Sequence, residues 1–169
     1  HLADMKIGIA TGNAEQRANT ITSPHYNIVV VNFDNVKWVL DNYGDTFDAL
    51  LIDELTKLKG GGVSLKSIRQ HTKNYNWVAG MTGTLVEEGM DTLYYQYMAI
   101  DSGATFGRRR DTFLNEYFTP DYNGFKWTPK EGTFKRLADK IRPITYSAET
   151  YEDLEEAMIE VVYVEMGNY

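Results

Sequence analysis

With 169 residues, 43% of them apolar, the chain suffices for one ordinary globular domain or one lobe of a larger protein. Its 17 basic and 24 acidic side chains give a net charge of −7, which excludes a histone-like polycation yet leaves room for a local basic groove. Cysteine is absent, so disulfides, Cys-ligated zinc, iron–sulfur clusters and thiol catalysis are excluded as well.

The charge is unevenly spread. Residues 1–140 hold 16 basic and 17 acidic side chains, whereas residues 141–169 hold Arg142 against seven acids. Between Leu55 and Val86 there are five basic residues, Lys57, Lys59, Lys66, Arg69 and Lys73, and no acid. The longest apolar runs are too short to cross a bilayer. The amino end, His1-Leu2-Ala3-Asp4-Met5-Lys6, has no apolar signal core, which argues against secretion. A chain beginning with His instead of Met also suggests a processed or truncated protein.

In chain order, residues 6–10, 27–32, 49–53 and 76–81 are short runs rich in Ile, Val or Leu. Their near-continuous hydrophobicity predicts strands buried on both faces. Segments 13–21, 34–43 and 64–71 lie between them with helical period; Asp34 is the expected N-cap of the second. Such alternation predicts a three-layer α/β fold, a parallel sheet with helices on both sides. After Met81 the pattern turns helical, at 91–101, 109–118 and 132–142, with a loop carrying Pro120, Asn123-Gly124 and Pro129. Residues 158–166 alternate as a strand.

Two constellations carry chemistry. Ala49-Leu50-Leu51-Ile52-Asp53-Glu54 places paired carboxylates at the carboxy end of a buried strand, the edge where open α/β sheets bind ligands. In nucleotide hydrolases an Asp so placed holds Mg²⁺, often through water, and the Glu orients and deprotonates the attacking water. The bland alternative is an acidic pair that opens a loop or caps the next element. The second is Trp77-Val78-Ala79-Gly80-Met81-Thr82-Gly83-Thr84, a strand running into a turn with two hydroxyls around a glycine free to adopt unusual backbone angles. One helix separates the two sites, so both can line a single sheet edge.

These residues resemble a known family. Leu50 to Lys59, with Asp53-Glu54 at its centre, resembles the Walker B motif, or motif II, of superfamily-2 helicases and translocases, in particular the Swi/Snf-like branch with its phage and bacterial members. Met81-Thr82-Gly83-Thr84-Leu85 resembles motif III. Residues 26–38 resemble the segment near a DNA-facing loop, and 111–118 and 141–153 the stretch leading to a second lobe. The resemblance implies a partial RecA-like P-loop NTPase lobe over 1–143, with a helical extension at 91–142 and a connector at 144–169. It implies that Glu54 is the general base, that Asp53 holds Mg²⁺ through water, and that Thr82, Gly83 and Thr84 couple nucleotide state to DNA. ATP and Mg²⁺ would be the cofactors, DNA, double-stranded by preference, and a second RecA-like lobe the partners, and a bacterial or phage-infected cytoplasm the setting. Where the family commonly reads Asp-Glu-Ala-His, this chain reads Asp53-Glu54-Leu55-Thr56, and the usual Pro after motif III is Leu85. Both departures bear on coupling.

No Gly-x-x-x-x-Gly-Lys-[Ser/Thr] occurs, and Lys59-Gly60-Gly61-Gly62 reads as a loop. The expected identity is therefore a fragment of an ATP-dependent helicase or double-strand translocase, inactive alone; the alternative is a non-catalytic RecA-like binding module for DNA or protein. Lys57, Lys59, Lys66, Arg69 and Lys73 are candidate phosphate contacts or a solvated helix face, and Arg108-Arg109-Arg110 a weaker one. His1, His25 and His71 lack metal-ligand spacing, and Tyr94, Tyr95 and Tyr97 read as packing aromatics. A metal-dependent nuclease would need Asp34, Asp91 or Asp101 beside the acidic pair.

Overall fold

The computed structural model describes residues 4–86 and 89–147. The expected strand–helix alternation is present as β1 (Ile7–Ile9), α1 (Ala14–Ile21), β2 (Ile28–Val30), α2 (Val36–Tyr43), β3 (Ala49–Ile52), α3 (Gly62–His71) and β4 (Trp77–Gly80). Then follow α4 (Leu93–Asp101), α5 (Arg110–Tyr117), β5 (Phe118–Pro120), β6 (Trp127–Pro129) and α6 (Thr133–Ile141). Strand β1 pairs in parallel with β2, Ile7 opposite Ile28 and Ile9 opposite Val30. Strand β3 pairs in parallel with β4, Leu50 opposite Val78 and Ile52 opposite Gly80. Short parallel pairs joined through helices make this a mixed α/β protein.

Local chemistry sets the helix ends. Asn13 caps α1 in a reciprocal box, its carboxamide accepting from the Gln16 N–H at 2.9 Å while Gln16 accepts from the Asn13 N–H at 2.9 Å. Asp34 does not cap α2: the N-cap is Asn35, without a side-chain bond, and Asn32 caps the preceding turn by accepting from the Asn35 N–H at 3.3 Å. A 3₁₀ turn over Phe33–Asn35 therefore precedes α2.

The expectation of strands buried on both faces is not met among the described residues. Helices α1 and α2 cover one side of β1 and β2 through Ala10, Ile21 and Val39, and α2 and α3 cover β3 through Leu40, Ile52, Leu65 and Ile68. The opposite side is bare. Ile7 and Ile9 are 58% and 67% exposed, Leu51 and Trp77 53% and 55%, and Ile28 and Val30 are exposed too. An unbroken apolar run supplies two greasy faces but does not supply the element that covers the second.

The helical extension forms a core of its own. Leu93, Tyr94, Tyr97 and Met98 of α4 pack with Phe106, Phe113, Leu114, Tyr117, Phe118, Leu137 and Ile141. Segment 118–129, expected as a loop, is an antiparallel hairpin with Phe118 opposite Pro129 and Pro120 opposite Trp127. Asp121 builds its tip, accepting from the Phe125 and Lys126 N–H groups at 2.9 and 3.1 Å, and Gly124 takes φ +72°. Of the expected connector, 144–169, only residues up to 147 are described, and the alternating segment 158–166 lies outside the described residues. No helix among the described residues is long and apolar enough to cross a membrane.

Candidate functional site at the carboxyl edge of β3 and β4

Because β3 and β4 run parallel and in register, the residues that follow them emerge at one edge. The Met81 N–H donates to the Ile52 carbonyl at 2.8 Å and the Leu55 N–H to the Met81 carbonyl at 2.9 Å, so the ladder continues one step past both strands. Gly80 permits this closeness. A Cβ there would lie 2.5 Å from Leu55 side-chain carbons, and Leu55 is itself core. Gly80 is a positioning residue that the sequence did not single out.

Asp53 and Glu54 divide at this point. Asp53 is exposed at the strand end, with no ion pair among the described residues. Glu54 adopts a left-handed backbone, φ +60° and ψ +67°, which is strained for a non-glycine residue. The twist carries its carboxylate to the threonine turn. Thr56 donates its hydroxyl to Glu54 Oε1, and Thr82 Oγ1 lies 3.1 Å from the same oxygen. Thr82 Oγ1 also lies 2.9 Å from the Thr84 carbonyl and accepts from the Thr84 N–H at 3.3 Å. Its single proton can serve only one of the two acceptors at a time.

Both sequence constellations therefore meet in one hydrogen-bonded cluster on one edge. Thr56, read from the sequence only as a departure from the usual His, is the residue that ties the carboxylate to its own turn. Gly83 was expected to supply an unusual backbone angle, but it is not among the residues of positive φ, and a Cβ on it would meet nothing within 4 Å. The turn after Thr84 is fixed to α4, since buried Gln96 donates to the Leu85 carbonyl at 3.0 Å.

The Thr56 and Thr82 hydroxyls, with a smaller contribution from the Lys57 charge, hold the Glu54 carboxyl below its ordinary range against the opposing effect of desolvation. With the folded value depressed, the bridge's stabilisation is complete above the unfolded value of about 4.3 and fades as pH falls through the folded one. An NMR titration of the Glu54 side chain should therefore give a midpoint below that of a free glutamate, and Thr82→Val should move it upward. A midpoint at or above about 4.3 would show that the bridge does not persist in solution.

A single open carboxylate such as Asp53 fits Mg²⁺, which keeps several waters and uses one or two protein carboxylates. No group of three or more His, Asp or Glu able to hold a metal occurs among the described residues. Asp91 pairs with Arg110 at 3.0 Å, and Asp101 accepts from the Gly103, Ala104 and Thr105 N–H groups. Two of the three carboxylates a nuclease would need, Asp91 and Asp101, are thus engaged elsewhere, and Asp34 is exposed.

The basic residues separate into two places. Lys57 sits at the carboxylate edge with its ammonium 5.3 Å from the Phe33 ring centre. Lys59 follows in the same turn, and Gly61 and Gly62, both at positive φ, lead into α3. Lys66, Arg69 and Lys73 line a depression at the far end of α3 together with Arg108. Arg110 lies over Tyr95 and pairs with Asp91, so the Arg108–Arg110 run does not act as one patch. His71 packs on Gly44 and bonds the Ser67 carbonyl at 2.9 Å, His25 is exposed, and His1 lies outside the described residues. Tyr94 and Tyr97 are core residues, as expected.

No known protein-family model matches the chain. It is 26% identical over 181 aligned positions to "Putative protein p41" of Acyrthosiphon pisum secondary endosymbiont phage 1. The match takes in 98% of this chain and 39% of p41, so the chain spans about two fifths of the length of that relative.

Proposed function

We propose that these residues form part of the first RecA-like lobe of an ATP-dependent DNA helicase or double-strand DNA translocase. The observation that carries this reading is the bond between Thr82 and Glu54 at the shared edge of β3 and β4. Strained backbone and convergent hydroxyls on one ionised carboxylate are features that concentrate where a side chain must be aimed. Loss of the usual His does not disconnect the two segments here, because the Glu54 carboxylate itself spans them.

In this reading Asp53 holds Mg²⁺ through water, and the bound nucleotide supplies the electrophilic phosphate. Glu54, kept anionic at neutral pH, orients a water and accepts its proton. Thr82 can give its proton to Glu54 or to the Thr84 carbonyl, so a change at the carboxylate is felt along the turn and, through Leu85 and Gln96, at α4. The bare sheet face suits a lobe whose second helical layer, and whose phosphate-gripping loop, are supplied by residues other than those described. The likeness to a phage protein fits a setting in a bacterial or phage-infected cell.

The test is a longer protein extended on the amino side of His1. A Gly-Lys-[Ser/Thr] loop in that extension and DNA-stimulated ATP hydrolysis are expected. DNA binding without turnover in that longer protein would assign a non-catalytic module instead.

A further inference from the structure

At the end of the β3–β4 sheet away from Glu54, four cations gather around one depression. Lys66 and Arg69 lie three residues apart on α3, and Lys73 follows one turn later, so all three project from one side. The chain returns to them after α4. Ser102 ends that helix in a left-handed conformation, Gly103 continues at φ +93° close against the Gly107 carbonyl, and Arg108 is thereby delivered beside α3. The Asp101 carboxylate fixes this turn through three backbone N–H groups at 2.9, 3.0 and 2.9 Å.

Lys66, Arg69, Gln70, Lys73, Ser102 and Arg108 line a depression of about 490 Å³ with no acid among them. All four cations are exposed, and none makes an ion pair among the described residues. Ser102 Oγ is buried without a hydrogen-bond partner, though its residue lines the depression. An adjoining depression of about 560 Å³ shares Lys73, Ser102 and Arg108 and is walled by half-exposed Trp77 and by Asp101, whose carboxylate is taken up by the three N–H groups of the turn. Four like charges held together by a built turn repel one another, and no ion pair among the described residues relieves them.

We propose that this groove binds the phosphodiester backbone of DNA, with Lys66, Arg69, Lys73 and Arg108 on successive phosphates. Cations on a flexible stem suit phosphates, whose recognition needs charge and little sequence. Residues 1–140, which carry the groove, hold 16 basic and 17 acidic side chains and so are close to neutral. The groove stands at the opposite end of β4 from Glu54, so the inference goes beyond the motor reading and holds equally for a module without turnover.

The test measures binding of the full chain to a fluorescein-labelled duplex by anisotropy across a salt series. Lys73→Ala with Arg108→Ala is expected to weaken binding at least tenfold and to lower the slope of log affinity against log salt by about 2. Lys126→Ala with Lys140→Ala removes the same charge elsewhere and is expected to stay within twofold. Equal losses in the two double variants, or no duplex binding by the wild-type chain, would overturn the proposal. Pyrophosphate binding that depends on Lys73 and Arg108 in the absence of duplex binding would also overturn it, in favour of a small polyanion.

Discussion

Glu54→Gln in the longer, phosphate-loop-bearing protein is expected to lower DNA-stimulated ATP hydrolysis by roughly 10²- to 10⁴-fold, the usual contribution of a positioned general base. The amide keeps an oxygen that can accept from the Thr56 and Thr82 hydroxyls, so the turn and the left-handed backbone should survive. What is lost is the charge and the proton acceptor. Steady-state hydrolysis with an unchanged melting temperature is the measurement. Turnover within threefold of wild type would remove Glu54 from the chemistry and leave it a purely structural tie between β3 and β4.

Phe113→Ala should be among the most damaging single changes to stability. The ring is almost wholly buried at the centre of the helical extension, 4.9 Å from Phe106, 5.2 Å from Tyr117, 5.4 Å from Tyr94 and 5.7 Å from Phe118, centre to centre. Truncation leaves a cavity that four rings cannot close without abandoning their own contacts, at a cost of about 3–5 kcal/mol. In a domain of this size that corresponds to a melting temperature lower by on the order of 10 °C. Phe134→Ala, at a ring 71% exposed, is the control and should cost under about 0.5 kcal/mol. Comparable losses from both would mean that the extension does not pack as described.

The strand–helix alternation was legible because periodicity reports burial directly: all four strands and the first three helices fall where the apolar spacing places them, within about two residues. The common edge of Asp53-Glu54 and Thr82-Gly83-Thr84 follows from the same spacing, since one intervening helix returns the chain to the same end of a parallel pair. The Glu54 conformation was not legible. An acid has no intrinsic preference for φ +60°, and Gly83 beside the threonines was the more natural candidate. The angle goes with the bond to Thr82, 28 residues away, and a long-range bond of that kind leaves no local trace.

The hairpin at 118–129 was missed for a different reason. Asn123-Gly124 is a turn signal, but Pro120 and Pro129 suggested a loop; both prolines sit at the ends of strands only three residues long, where a missing N–H costs little. The basic groove was only half visible. Helical spacing joins Lys66, Arg69 and Lys73, whereas Arg108 and Ser102 reach them through the turn after α4, a long-range return that composition does not encode.

The bare side of the strands makes single-site measurements depend on context. Ile9 stands 67% in water, and Ile7, Ile28 and Val30 beside it are exposed as well. An apolar surface of that kind promotes self-association. Ile9→Thr should therefore improve the solubility of this polypeptide studied by itself, as read by light scattering. In a longer protein that laid a further layer over those side chains, the same change should be destabilising, because a hydroxyl would then be buried where a methyl group was wanted. A mutational scan performed on the short species alone would rank such positions with the wrong sign.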